Sequence, residues 1–206
     1  MKRKLFASSV VLAVLYFSEV LILGALQPGY SHMHQAASEL GMASAAHPQL
    51  FAIWVLAQAA VFLAAGPLFY QSVARATGRR KLAVAIGLFV AFFGVNCIFI
   101  AAFPLPDIRH SGYGIALFTF FVPWLIASAF WNVSSARGAC YVQLVATPVL
   151  IFLALLQPGV AGFVDATNLG LFQRIGAGSF YGWLILSSLW LDRVRADAPV
   201  VVRSNV

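Results

Sequence analysis

"LFASSVVLAVLYFSEVLILGALQ", residues 5–27, is long and apolar enough to set the architecture of the chain. It follows "MKRK" and carries a single acidic side chain, Glu19. An apolar run behind basic residues is either a cleaved leader or a retained helix. The run exceeds the roughly 7–15 apolar residues of a leader, and "LGALQPGYS" is a poor small-residue cleavage site. The stretch therefore predicts a first transmembrane helix that is kept.

The rest of the chain agrees. Of its 206 residues 62% are hydrophobic and only 9% charged, with mean hydropathy +0.90, against about 45–50% and about 25% in soluble domains. A span needs about 20 apolar residues, and five more runs are long enough. The expected spans are 5–27, 48–71, 82–103, 112–131, 139–157 and 174–191. This predicts an all-α integral membrane protein: a six-transmembrane-helix bundle over 1–192, followed by a tail over 193–206. Pro28, Pro104 and Pro158 sit where helices should stop, and Pro48 where one should start.

Charge sets the orientation. Lys2, Arg3 and Lys4, then Arg75, Arg79, Arg80 and Lys81, then Arg137, and finally Arg193, Arg195 and Arg203 fall on one side. These are eleven of thirteen basic residues, with Arg109 and Arg174 on the other side. The positive-inside rule then predicts both termini in the cytoplasm of a protein of the cell inner (plasma) membrane. A net charge of +7 spread over helix ends is no nucleic-acid patch, so the expected partners are membrane lipids. Cys97 and Cys140 lie near opposite ends of their predicted helices, which argues against a disulfide, and neither has zinc spacing. No histidine lies within a span to ligate haem. The expectation is no cofactor and no metal.

The opening loop, "PGYSHMHQAASELG" (28–41), is polar yet free of lysine and arginine, as an outward loop should be. All four histidines (His32, His34, His47, His110) share that face with Glu39, Asp107, Asp165, Arg109 and Arg174. Outer loops must be polar somehow, so this distribution needs no chemistry to explain it. A zinc site from His32, His34, Asp107 and His110 is the sharper alternative. It needs three or four ligands converging at about 2.0–2.2 Å, and no compact motif supports it.

Inside the membrane Glu19 stands out. It sits about seven residues, roughly 10 Å, below the outer end of its helix. A charge there costs several kcal/mol, so the side chain should face the bundle interior and have a partner or be neutral. Arg174, at the start of helix 6, is a candidate to reach it. Gln58, Asn96 and Thr119 lie at similar depth and read as interhelical hydrogen bonds completing a polar layer. "GSFYG" (178–182) has the Gly-x-x-x-Gly spacing of close helix approach.

Several short motifs then resemble a known family. They are "PGYS" and "SELG" in the first outer loop, "FP" followed by Asp107 in the second, and "GLFQRI" with a later Trp entering helix 6. Together they resemble the bacterial six-helix membrane family called domain of unknown function 998, in the same order over most of the chain. The family's pattern commonly has a His shortly after a Gly at the start of helix 4, whereas "RHSGYGIAL" has His110 before Gly112 and Ile115 after it. The resemblance implies a shared outward site around Ser38, Glu39, Asp107 and Arg174. It implies no reaction.

Three functions remain open. One is a lipid or hydrophobic-ligand binder in the outer half of the bundle, with Arg109 and Arg174 meeting an anionic headgroup. Another is a membrane-embedded enzyme using Glu39, Asp107 and His110. The third is a small proton-linked transporter with Glu19 as carrier, weakened by the absence of inverted repeats and of polar residues lining the inner half. The candidate ligand-binding residues are Glu19, Ser38, Glu39, Asn96, Asp107, His110 and Arg174.

Overall fold

The computed structural model describes residues 3–156 and 162–197, and every regular element among them is helical. The helices are α1 (Lys4–Leu26), α2 (Pro48–Thr77), α3 (Arg80–Ala102), α4 (Val122–Phe130), α5 (Arg137–Ala154) and α6 (Leu169–Asp197). Short 3-10 turns cover Ala37–Gly41 and Ser134–Ala136, and a longer 3-10 run, Ile108–Phe121, leads into α4. Backbone chemistry sets the boundaries. α1 and α3 end just before Pro28 and Pro104, and Pro48 opens α2. α2 runs past its expected end at 71 and stops at Gly78, whose left-handed φ of +69° lets its N–H bond back to Ala74. The tail expected from 193 begins inside α6. Lys2, Pro158 and the rest of the tail, 198–206, lie outside the described residues.

Five segments are long and apolar enough to cross a membrane: Lys4–Leu26, Pro48–Thr77, Arg80–Ala102, Ile108–Phe130 and Ser134–Ala154. α6 is long, at 29 residues, but glycine, serine and tyrosine dilute its apolarity. Its position explains that composition. It packs against α1, α2 and α5, and its polar side chains find partners there. The Ser9 and Ser188 hydroxyls are 2.6 Å apart. The Trp183 indole donates to Gln143 Oε1 at 2.8 Å, and Gln143 Nε2 donates to Ser187 at 2.8 Å. Each such bond between helices in lipid is worth about 0.6–2 kcal/mol. Asp192 accepts from the backbone N–H of Phe6 at 2.9 Å, satisfying one of the amides that a helix start leaves unpaired.

The fourth segment departs from expectation. A helix from 112 was expected, but Gly112, Tyr113 and Gly114 all have left-handed φ (55°, 54° and 78°), so right-handed helix begins only after them. Gly112 is pressed against Asn96, where a Cβ would lie 2.6 Å from the Asn96 side-chain oxygen. The close approach of Asn96 on α3 leaves room at this position for glycine alone, which also tolerates the left-handed φ.

The tightest helix pair is α2 with α3. A Cβ on Gly66 would lie 2.7 Å from the carbonyl oxygen of Gly87, and one on Gly87 would lie 2.9 Å from that of Gly66. Close approach is thus real in this fold, but not where "GSFYG" suggested it. Among the described residues nothing lies within 4 Å of a Cβ on Gly178 or Gly182, because α6 turns Phe180, Tyr181 and Leu184 to the core instead. Gly66→Val or Gly87→Val should destabilise the detergent-solubilised protein by about 1–3 kcal/mol by overpacking. Gly178→Ala should stay within about 0.5 kcal/mol of wild type, as an unconstrained surface change does. Thermal unfolding of the three variants measures the contrast.

Candidate functional site

Glu19 is only 2% exposed, and a neighbouring amide holds it. Gln58 Nε2 on α2 donates to Glu19 Oε2, and the Tyr181 hydroxyl on α6 donates to Gln58 Oε1 at 3.1 Å. One polar chain thus joins α1, α2 and α6 at a single level. Gln58, read from sequence as packing alone, is the group that orients the acid. Thr119 does act as packing, donating to the Phe89 carbonyl at 2.6 Å.

Glu19 also faces a cavity of about 250 Å³. All of α1, α2, α3, α5 and α6 contribute walls. Phe93, Cys97, Leu150, Ala177 and Phe180 are among the apolar ones, while Tyr16, Glu19, Gln58, Gln173, Tyr181 and Ser38 supply polar atoms. The aromatic rings form a continuous cluster along one side. Tyr16 and Tyr181 have centroids 5.1 Å apart, Tyr181 and Phe180 5.3 Å, and Phe180 stacks on Phe93 at 4.9 Å. Among the described residues, no lysine, arginine or histidine lines this space.

The loop between α1 and α2 closes over it. Arg174 donates through Nη1 to the carbonyls of Gln35 (3.0 Å) and Gly170 (2.7 Å), and through Nη2 to the Tyr30 hydroxyl (2.6 Å). Tyr30 in turn donates to the Ala36 carbonyl at 3.0 Å. Burial raises the Tyr30 phenol above its ordinary pKa, against the opposing pull of Arg174. Next to Arg174, Gln173 Oε1 accepts from the Ala37 N–H at 2.7 Å, and the Leu171 N–H bonds to the Met33 carbonyl at 2.9 Å. Gly170 admits no side chain, since a Cβ would sit within 2.6 Å of two loop carbonyls. Glu39 folds the loop on itself, accepting from the Ala36 N–H at 2.8 Å and from Gln35 Nε2 at 3.2 Å, an N-terminal capping arrangement. The loop is a lid clasped to the start of α6.

The expected site residues therefore divide. Glu19 and Ser38 line the cavity, while Glu39 and Arg174 build the lid above it. Asn96 sits under Gly112, and its buried side-chain oxygen has no hydrogen-bond partner among the described residues. Asp107 and His110 belong to the other loop. Asp107 pairs with Arg109 at 2.6 and 3.0 Å, which holds its carboxyl at about 2, and the guanidinium lies 3.9 Å over the Phe103 ring. His110 Nδ1 is 2.9 Å from the Phe103 carbonyl.

One expectation is corrected here, and one alternative does not form. Arg174 reaches neither Glu19 nor an acid of the loops. Its two Nη atoms donate to neutral oxygens of the lid and of the start of α6, where planar guanidinium geometry can serve several acceptors at once. The zinc grouping of His32, His34, Asp107 and His110 does not assemble, and no three potential ligands among the described residues come together to hold a metal ion. Tyr16, Tyr181 and Gln173 escaped the sequence reading. Tyr16 and Tyr181 offered only a polar atom in an apolar run, whereas Gln173 lay within the "GLFQRI" motif.

Hydrogen bonds to a charged group contribute about 1.5–3 kcal/mol each, so the clasp should be sensitive to its arginine. Arg174→Ala should raise hydrogen exchange across Ser31–Leu40 by about tenfold or more and leave α2 and α3 protected. Arg174→Lys should recover only part of the protection, because an ammonium lacks the planar fork. Unchanged exchange in the alanine variant would mean that the lid is held by other contacts.

No curated protein and no solved structure matches this chain. The motifs behind the family resemblance nevertheless acquire a physical meaning. "PGYS", "SELG" and "GLFQRI" are distant in sequence, and they meet as the two halves of the clasp. The family described as "Protein of unknown function (DUF998)" matches residues 10–190, almost the whole chain and both halves of that clasp, and the chain belongs to this family.

Proposed function

We propose that this protein is a six-span membrane protein that holds a lipid or other hydrophobic ligand in the lidded cavity beside Glu19. The observation that carries this reading is the cavity itself: about 250 Å³, walled by aromatic and aliphatic side chains, with a few convergent polar groups. That combination is the usual make-up of a small-molecule site. The sixth span is α6, whose 29 residues extend roughly 43 Å at helical rise, beyond a hydrocarbon core of about 30 Å. Its buried polar side chains are bonded to α1, α2 and α5. The basic residues gathered at one end of the helices support a reading with the termini in the cytoplasm and the lid outside, in an inner (plasma) membrane.

The polar end of the ligand does not rest on Arg109 or Arg174. Asp107 holds the first, lid oxygens hold the second, and neither lines the cavity. The enzyme reading is weaker, since Glu39, Asp107 and His110 are each engaged locally on two different loops. The transporter reading needs a path from Glu19 toward the basic end. Leu12, Phe62 and Leu184, about one to two turns further along their helices, are fully buried and fill that direction. Binding is the better account.

The neutral dye N-phenyl-1-naphthylamine tests it. Wild-type protein in lipid nanodiscs should give saturable fluorescence above that of empty discs. Ala177→Phe, which fills the cavity from α6, should weaken that binding by about tenfold or more with thermal stability kept. Equal binding by both proteins would place the dye elsewhere and remove the support.

A further inference from the structure

Resting on the reading of the cavity as a binding site, we propose that its ligand is an amphipathic organic cation, with a positively charged nitrogen beside Glu19 and an apolar body along the aromatic wall. The protein leaves one buried acid without a cationic partner among the described residues. Glu19 is almost fully buried, and its hydrogen-bond partner, the Gln58 amide, is neutral. Among the described residues that line the cavity there is no lysine, arginine or histidine. The salt bridge found among the described residues, Arg109 with Asp107, lies on an exposed loop. A carboxylate withdrawn from water strongly favours a cation at its side. Arg174 is bonded through both Nη atoms to lid oxygens and does not line the cavity, so a cation beside Glu19 would arrive with the ligand.

The walls fit the same chemistry. Tyr16, Phe93, Phe180 and Tyr181 form the connected ring cluster described above, and Tyr16 and Tyr181 line the cavity together with Glu19. Aromatic faces carry negative quadrupole potential and attract alkylammonium groups, most strongly where water is excluded. An acid next to such a cluster selects positive charge twice over. It also penalises an anionic headgroup, which would meet Glu19 with no basic residue to compensate. The ligand class is thus the reverse of the one that Arg109 and Arg174 suggest in the sequence.

The probe is benzyltrimethylammonium, compared with neopentylbenzene, its carbon isostere of nearly equal shape, and with phenylacetate. Binding is measured by saturation-transfer NMR competition on the full chain in nanodiscs. Wild type should take the ammonium about tenfold or more tighter than the isostere, with phenylacetate weakest. Glu19→Gln should abolish the preference while leaving neopentylbenzene bound, and Glu19→Asp should keep it. The wild-type comparison stands alone if either variant fails to fold. Isostere binding equal to that of the ammonium in wild type would overturn the cation proposal and leave the cavity reading standing. Failure of all three probes, with no response to Ala177→Phe, would overturn both.

Discussion

A carboxyl group buried in a membrane bundle is the constraint around which the rest of this structure is arranged. Glu19 cannot face lipid without a cost of several kcal/mol, so α1 turns it inward, and α2 answers with Gln58. The Gln58 amide has two ends. Its nitrogen serves Glu19, and its oxygen takes the Tyr181 hydroxyl from α6. One acid thereby fixes the rotation of three helices about their own axes. With Glu19 and Tyr181 so placed, Tyr16 comes onto Tyr181, and the aromatic cluster continues through Phe180 to Phe93 on α3. The cavity is what this arrangement leaves open above the packed layer of Leu12, Phe62 and Leu184.

The lid follows from the same economy. A loop above a hydrophobic bundle carries many backbone groups that need partners. Arg174 and Gln173, adjacent at the start of α6, supply several of them at once. This is why the most polar segment of the chain can do without lysine or arginine of its own. The basic group that it requires is donated by a helix 139 positions away from its Gln35 acceptor. The second loop solves its problem locally, with Asp107 and Arg109 two residues apart, and makes no comparable bridge.

Much of the fold was legible in the sequence, because membrane helices are written in length, apolarity and proline. The first three spans were found to within a few residues, save the extra turns of α2. What misled were features that depend on which way a helix faces. "GSFYG" has the spacing of a packing motif, but Phe180 and Tyr181 decide which side of α6 is inside. A helix from 112 looked regular, yet Gly112, Tyr113 and Gly114 run left-handed before the right-handed helix begins. The site was legible in part for the same reason. Glu19 announces itself as an acid in an apolar run, and Ser38 and Arg174 through the family motifs. Nothing in one dimension shows that Arg174 prefers carbonyls to carboxylates, or that Gln58 would be the partner of the acid. Those choices depend on distances across three helices.

The central claim is that the space beside Glu19 is a ligand site rather than a packing fault. Native mass spectrometry of the protein released from its own membrane in mild detergent tests it most directly. Wild type should carry an adduct of discrete mass that is absent from Ala177→Phe and from Glu19→Gln. A bare wild-type protein, or an adduct retained equally by both variants, would contradict it.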